Sequence, residues 1–247
     1  MQNKPHKLNV CSVQLPAVYG DIHRNTNNIL KAIKWAEKKK IDIICFPECY
    51  LQGYLLDVGK ASKSSIDLNS GKFKSILSTL KSKITLIVGL IEKEDGKIFN
   101  TAVVIKDGKL VGKYSKNLIM KKESFFDVRN SYPIFSLKRI KYGINICFES
   151  RFSESSDNLI KKGAKIIFCP LNNSLPHKTA DKWRDLHIKY FVEKAKTSNC
   201  WIVTSDVIEK SDKNTGYGFT AIIDPHGKVL KQVKYMESGR IIYEISF

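Results

Sequence analysis

The 247-residue chain is 43% hydrophobic and 27% charged, the balance of an ordinary globular protein, which excludes a chain disordered throughout. It can bury a sizeable core without disulfides, and no apolar run approaches the length, about 20 residues, that spans a bilayer. A net charge of +18 arises from 42 Lys+Arg against 24 Asp+Glu. The lysines are scattered, with no helix-turn-helix pattern, aromatic-interleaved basic stripe or zinc motif, so the charge reads as solubility rather than specific nucleic-acid binding.

In chain order, Leu8–Leu15 reads as a strand, and Thr26–Lys39 carries Ile29, Leu30, Ile33 and Ala36 at amphipathic helical spacing. Ile41–Phe46 is a β-branched run stopped by Pro47, Phe73–Leu80 is helical, and Ile84–Leu90 is a strand. A hairpin follows, Phe99–Ile105 and Lys109–Tyr114 around Lys106-Asp107-Gly108. Tyr142–Cys147 reads as a strand, Ser155–Lys162 as a helix closed by Gly163, and Ala164–Cys169 as the next strand. Trp183–Ser198 is a long helix and Trp201–Ser205 a strand. The chain ends in a second hairpin, Phe219–Ile223 and Lys228–Val233, and a last strand, Arg240–Ile245. With no linker or low-complexity tract, residues 1–247 read as one α/β domain whose mixed sheet needs covering layers on its apolar faces.

Six cysteines lie scattered at 11, 45, 49, 147, 169 and 200, mostly inside apolar runs. That usage suits a reducing compartment better than a disulfide framework. No charged leader followed by a long apolar stretch opens the sequence, and the cytoplasm is the expected location. The five histidines show neither H-E-x-x-H nor C-x-x-C…H spacing, so no metal site is expected. They are placed in loops or on a helix, away from any base role.

Three polar residues stand just beyond strand ends, where active-site groups of α/β sheets collect. Glu48 follows IDIICFP, Lys116 lies in GKYSKNLI after the hairpin, and Cys147 closes KYGINIC ahead of FESRFSESSDNLI. A thiol on a strand-to-helix turn near helix N-terminal amides is expected to have a lowered pKa and oxyanion donors at hand. A lysine brought near such a thiol favours the thiolate further. Taken singly, each residue is more often structural: a buried thiol, a surface carboxylate, a solvated lysine.

Together the segments FPE, YSK and CFESRFSE resemble the nitrilase superfamily of carbon–nitrogen hydrolases, whose signatures are a Glu, a Lys and a Cys motif in this order. NTAVVIKDGKLVGKY and FTAIIDPHGKVL extend the resemblance over nearly the whole chain. It implies a four-layer α-β-β-α sandwich that commonly dimerises through its outer helices. It also implies a hydrolase of non-peptide carbon–nitrogen bonds, acting on a small amide or carbamoyl amine through a Cys147 thioester. Glu48 is then the base, and Lys116 with the backbone N–H of Phe148 the oxyanion partner. Glu123 matches the family's second glutamate, positioning substrate or holding Lys116, while Glu149 and Arg151 buttress the nucleophile turn. No cofactor is implied. Nitrile hydrolysis or acyl transfer on the same fold is the alternative, and a non-catalytic polyanion-binding protein is the reading from another class.

The chain also departs from the family pattern. Leu118 stands where a histidine often follows the lysine, and the long helix reads Lys194-Ala195-Lys196-Thr197-Ser198 where Arg-Ala, an acid and Asn are common. Thr204-Ser205-Asp206 replaces a small-residue and asparagine stretch. These changes fall on substrate choice and on the bracing of the nucleophile turn.

Overall fold

The computed structural model describes residues 6–247. The chain opens with β1 (Lys7–Gln14), α1 (Ile22–Glu37) and β2 (Ile43–Cys45), then two short helices, α2 (Val58–Ser64) and α3 (Gly71–Thr79). A meander follows, β3 (Thr85–Glu94), β4 (Lys97–Lys106) and β5 (Lys109–Ser115). The middle holds β6 (Phe135–Leu137), β7 (Ile140–Ile144), a 3-10 turn at Cys147–Arg151, α4 (Ser153–Lys161) and β8 (Ile166–Pro170). Next come β9 (Ser174–Pro176), the long α5 (His177–Ser198) and β10 (Trp201–Ser205). The chain closes with β11 (Glu209–Lys210), β12 (Asn214–Gly216), β13 (Ala221–Ile223), β14 (Val229–Gln232) and β15 (Gly239–Ser246).

Two six-stranded sheets form, in the orders β15-β1-β2-β3-β4-β5 and β14-β13-β10-β8-β7-β6, beside a small sheet β11-β12-β9. Within the large sheets β1, β2 and β3 run parallel, as do β7, β8 and β10. Side-chain alternation explains the layering. In β2, Ile43 and Cys45 face the second sheet, where they meet Ile144, Phe168 and Val203. Ile44 and Phe46 face the other way, onto Ile29 and Ile33 of α1 and Phe73 and Ile76 of α3. The second sheet covers its outer face with Leu159 of α4 and Phe191 and Ala195 of α5. The result is the α-β-β-α sandwich. Strands buried on both faces read as continuous apolar runs, and each fully buried Ile or Phe contributes roughly 1.5–3 kcal/mol.

Local signals set most element ends. Asp21 caps α1 by accepting from the Arg24 N–H at 2.8 Å, so the helix starts a turn before the expected Thr26. Gly163 follows α4 in the left-handed region at φ 88°. Asp107 and Gly108 both have positive φ and turn β4 into β5. The expected strand Tyr142–Cys147 ends at Ile144, and α5 starts at His177 rather than Trp183. No helix among the described residues is long and apolar enough to cross a membrane.

Candidate active site

The parallel strands deliver polar residues from one end. Glu48 follows β2, Cys147 follows β7, Asn172 and Asn173 follow β8, and Asp206 follows β10. Hydrogen bonds hold these ends together: across the sheets the Glu48 N–H donates to the Leu171 carbonyl at 3.1 Å, and within the second sheet the Leu171 N–H donates to that of Ser205 at 2.7 Å. Ser205 Oγ in turn donates to the Val13 and Cys45 carbonyls of the other sheet. Gly89 of β3 lets the Glu48 loop lie against the sheet, because a Cβ there would meet Pro47 O at 2.3 Å and Cys49 N at 2.5 Å.

Lys116 leaves β5 with its side chain wholly out of water. Its Nζ donates to Glu48 Oε1 at 2.8 Å and to Glu123 Oε1 at 2.7 Å, and both carboxylates are equally buried. Burial alone would lower the lysine pKa, but the carboxylates of Glu48 and Glu123 outweigh it and hold the ammonium charged. Asn100 Nδ2 of β4 adds a second donor to Glu48 Oε1 at 2.7 Å, whereas Glu48 Oε2 is buried without a partner among the described residues. Desolvation lifts the Glu48 pKa above the usual carboxylate range, against the pull of Lys116. Glu123 lies in the 3-10 turn Lys121–Glu123, accepting from the Tyr54 hydroxyl through Oε1 and from the Met120 N–H at 2.9 Å through Oε2.

Cys147 opens its 3-10 turn at φ 48°, a left-handed conformation rare for a residue with a side chain. Here the expectation of a lowered thiol pKa is overturned. The helix proper begins only at Ser153, so a short 3-10 turn supplies little dipole. Burial and then Glu48 push the thiol pKa up, against Lys116 and a backbone hydrogen bond from Asn172.

Glu149 ties the Cys147 turn to the Lys116 segment. Its Oε1 accepts from Tyr114 OH at 2.6 Å and Asn117 N at 2.7 Å, and its Oε2 from Ile146 N at 2.7 Å. Arg151 closes the same 3-10 turn. Its guanidinium lies 3.8 Å from the Trp183 ring centroid, and it forms no ion pair among the described residues. Arg151 lines a cavity with Cys147, Phe148, Asn173, His187 and Tyr190. Phe148 packs edge-on against Phe152. Cys45 and Cys49 are buried, as packing requires, and the Cys49 thiol donates to Asn100 Oδ1. No group of three His, Cys, Asp or Glu suited to a metal ion occurs among the described residues.

The structure therefore brings Glu48, Lys116 and Glu123 into one hydrogen-bonded chain and sets Cys147, Phe148 and Arg151 on one cavity. Sequence reasoning did not find Asn100, Tyr114 or Asn173, and it marked Asp206 only as a departure from the family pattern. Asn100 and Tyr114 carried a signal, being polar groups inside strand runs where burial demands a partner. His187, one of the histidines expected on a helix, lies on α5 and lines the Cys147 cavity. Burial, and then Arg151, lower its pKa to about 4, so the imidazole is neutral near pH 7.

Comparison with known proteins agrees with this architecture. Residues 9–247 match the family model described as carbon-nitrogen hydrolase. A nitrilase of Pyrococcus abyssi is 26% identical over 243 residues, spanning 96% of this chain and 89% of that protein. A 2-oxoglutaramate amidase of Bacillus subtilis is 24% identical over 234 residues, 92% of this chain and 86% of that one. Saccharomyces cerevisiae Nit3, a member of branch 10 of the nitrilase superfamily, superposes with a TM-score of 0.84 at 23% identity, covering 98% of this chain and 90% of its own. With the family model spanning all but its first residues, this chain belongs to the carbon–nitrogen hydrolases of the nitrilase superfamily.

Proposed function

We propose that the protein is an amidase of small molecules that works through a Cys147 thioester. The observation that carries this reading is the buried chain Glu48–Lys116–Glu123 beside a cysteine held at positive φ. A resting thiol with a raised pKa needs a base, and Glu48 has a raised pKa and a free oxygen, Oε2. Glu48 takes the thiol proton as sulfur attacks the amide carbon. Lys116 and the Phe148 N–H offset the negative charge that develops on oxygen. The carbon–nitrogen bond then breaks, and the proton held by Glu48 leaves with the amine or ammonia. Water, deprotonated by Glu48, attacks the thioester and releases the carboxylic acid and the thiol. Glu123, anchored by Tyr54 and the Met120 N–H, holds Lys116 in place throughout.

The reading extends to one catalytic domain over the whole chain, a homodimer formed through the outer helices, and a cytoplasmic setting. Six free thiols, five of them buried, support that setting. The test is ammonia release from a panel of ω-amides, carbamoyl amines, aliphatic amides and nitriles, for wild type and Cys147→Ala. Release confined to the wild type and to amides or carbamoyl amines is expected. Undiminished release by Cys147→Ala sinks the thiol mechanism, and preference for nitriles moves the protein to the nitrile branch.

A further inference from the structure

Asp206 stands where the family pattern favours asparagine, and it is fully buried. Its Oδ1 accepts from the Asn173 N–H at 3.0 Å and the Val207 N–H at 2.8 Å. Its Oδ2 accepts from Asn173 Nδ2 at 2.7 Å and the Phe219 N–H at 2.8 Å. Four N–H donors surround the carboxylate, and no cation pairs with it among the described residues. Burial raises the pKa to about 6 against these hydrogen bonds, so the group is a carboxylate at neutral pH.

A carboxylate only accepts, and this settles the orientation of Asn173. An asparagine amide is ordinarily free to exchange its two ends, and its orientation is fixed by what surrounds it. Here Nδ2 must face Asp206, since turning Oδ1 toward it would set two acceptors against each other. Asn173 Oδ1 is then left without a hydrogen-bond partner among the described residues, in a half-buried residue that stands between the cavity of Cys147 and a second cavity walled by Asp206, Arg184 and Tyr217. The neutral amide of an asparagine at 206 would allow either orientation, whereas the aspartate allows one.

We propose that Asp206 is a positioning residue that fixes Asn173 as a hydrogen-bond acceptor facing the Cys147 cavity, so that the site selects substrates bearing an N–H donor beside the reacting carbon. The inference rests on the thiol reading above. Primary amides, carbamoyl amines and amino-substituted acyl groups fit this wall, and esters of the same shape do not.

Alkylation of Cys147 by two matched electrophiles tests this without knowledge of the substrate. Iodoacetamide carries N–H donors, and methyl iodoacetate replaces them with an ester oxygen and methyl. In both, sulfur displaces iodide from the CH₂ carbon and the thiol proton passes to base. Rates are read by intact mass, each divided by the rate with glutathione, and Cys147→Ala gives the background. One net hydrogen bond corresponds to about a tenfold preference for iodoacetamide in the wild type. Asn173→Ala, which leaves Asp206 in place, is expected to bring the ratio to about one. Asp206→Asn, which lets Asn173 present its NH₂ instead, is expected to bring it to one or below. The exchange Asn173→Asp with Asp206→Asn restores an acceptor at the wall and is expected to restore the preference, a rescue that general loosening of the fold does not produce. A wild-type ratio of one, or a ratio unmoved by Asn173→Ala, overturns the inference. Alkylation of Cys147→Ala at the wild-type rate overturns instead the assignment of Cys147 as the reactive thiol.

Discussion

Lys116 Nζ lies 2.8 Å from Glu48 Oε1, with both side chains wholly shielded from water. Glu123 shares the same ammonium, so two buried carboxylates depend on one cation. Removing one partner of a buried ion pair costs about 3–5 kcal/mol because the remaining charge is stranded. Lys116→Met is therefore expected to lose stability of that order as well as activity. Adding Glu48→Gln and Glu123→Gln removes the stranded charges and should recover part of the stability but none of the turnover. Urea unfolding of the three proteins measures this; a Lys116→Met variant as stable as wild type contradicts the buried pairing.

The approach of the Glu48 loop to β3 gives a second expectation. At Gly89 an added methyl meets backbone atoms at 2.3 and 2.5 Å, whereas at Gly71, the first residue of α3, it meets nothing within 4 Å. Gly89→Ala is expected to destabilise by about 3 kcal/mol, as overpacking against backbone does, and to lower kcat by displacing Glu48. Gly71→Ala is expected to be neutral or stabilising by about 0.5–1 kcal/mol. Thermal unfolding and ammonia release on both variants distinguish a positional effect from a general intolerance of alanine.

The same geometry explains which parts of the molecule were legible in the sequence. Ile41–Phe46 and Ile84–Leu90 announced themselves as strands because both their faces are buried, so that beyond Asp42 and Thr85 at their starts no polar residue breaks the run. Glu48, Lys116 and Cys147 stood out as chemistry-bearing side chains at strand ends. Their partners were hidden by distance along the chain: Asn100 lies 52 residues from Glu48, and Asp206 lies 33 from Asn173. Such pairings depend on how the two sheets meet, and periodicity reports only on single elements. The direction of the Cys147 shift was misread for a related reason. Proximity of a lysine is visible in a motif, but the desolvation and the Glu48 charge that outweigh it are not.

Glu149 is expected to matter to rate more than to binding. Its carboxylate collects the Tyr114 hydroxyl and the Asn117, Leu118 and Ile146 N–H groups, fixing the Cys147 turn relative to Lys116. Glu149→Gln keeps the shape but turns an NH₂ toward donors, so one side of the network opens. Misplacement of reacting groups by about 1 Å can cost about 10²-fold in rate. Steady-state kinetics should show the loss in kcat with KM changing far less; a variant altered in KM alone would place Glu149 in substrate binding instead.

Asp206 makes stability depend on pH in a predictable direction. Its folded pKa of about 6 stands above the ordinary 3.8, so the folded state holds the proton more tightly than the unfolded chain. Its contribution to stability is fully present below about pH 3.8 and is lost as pH rises through about 6. A shift of this size corresponds to about 3 kcal/mol. Other groups titrate over the same interval, so the quantity to measure is the difference between wild type and Asp206→Asn in urea unfolding free energy at pH 4 and pH 7. That difference should move against the wild type by about 2 kcal/mol on going to pH 7, most of the full effect, because at pH 4 the unfolded aspartate is already partly ionised. If it stays constant, Asp206 ionises as freely in the folded protein as in water, and four N–H donors are then enough to offset its complete burial.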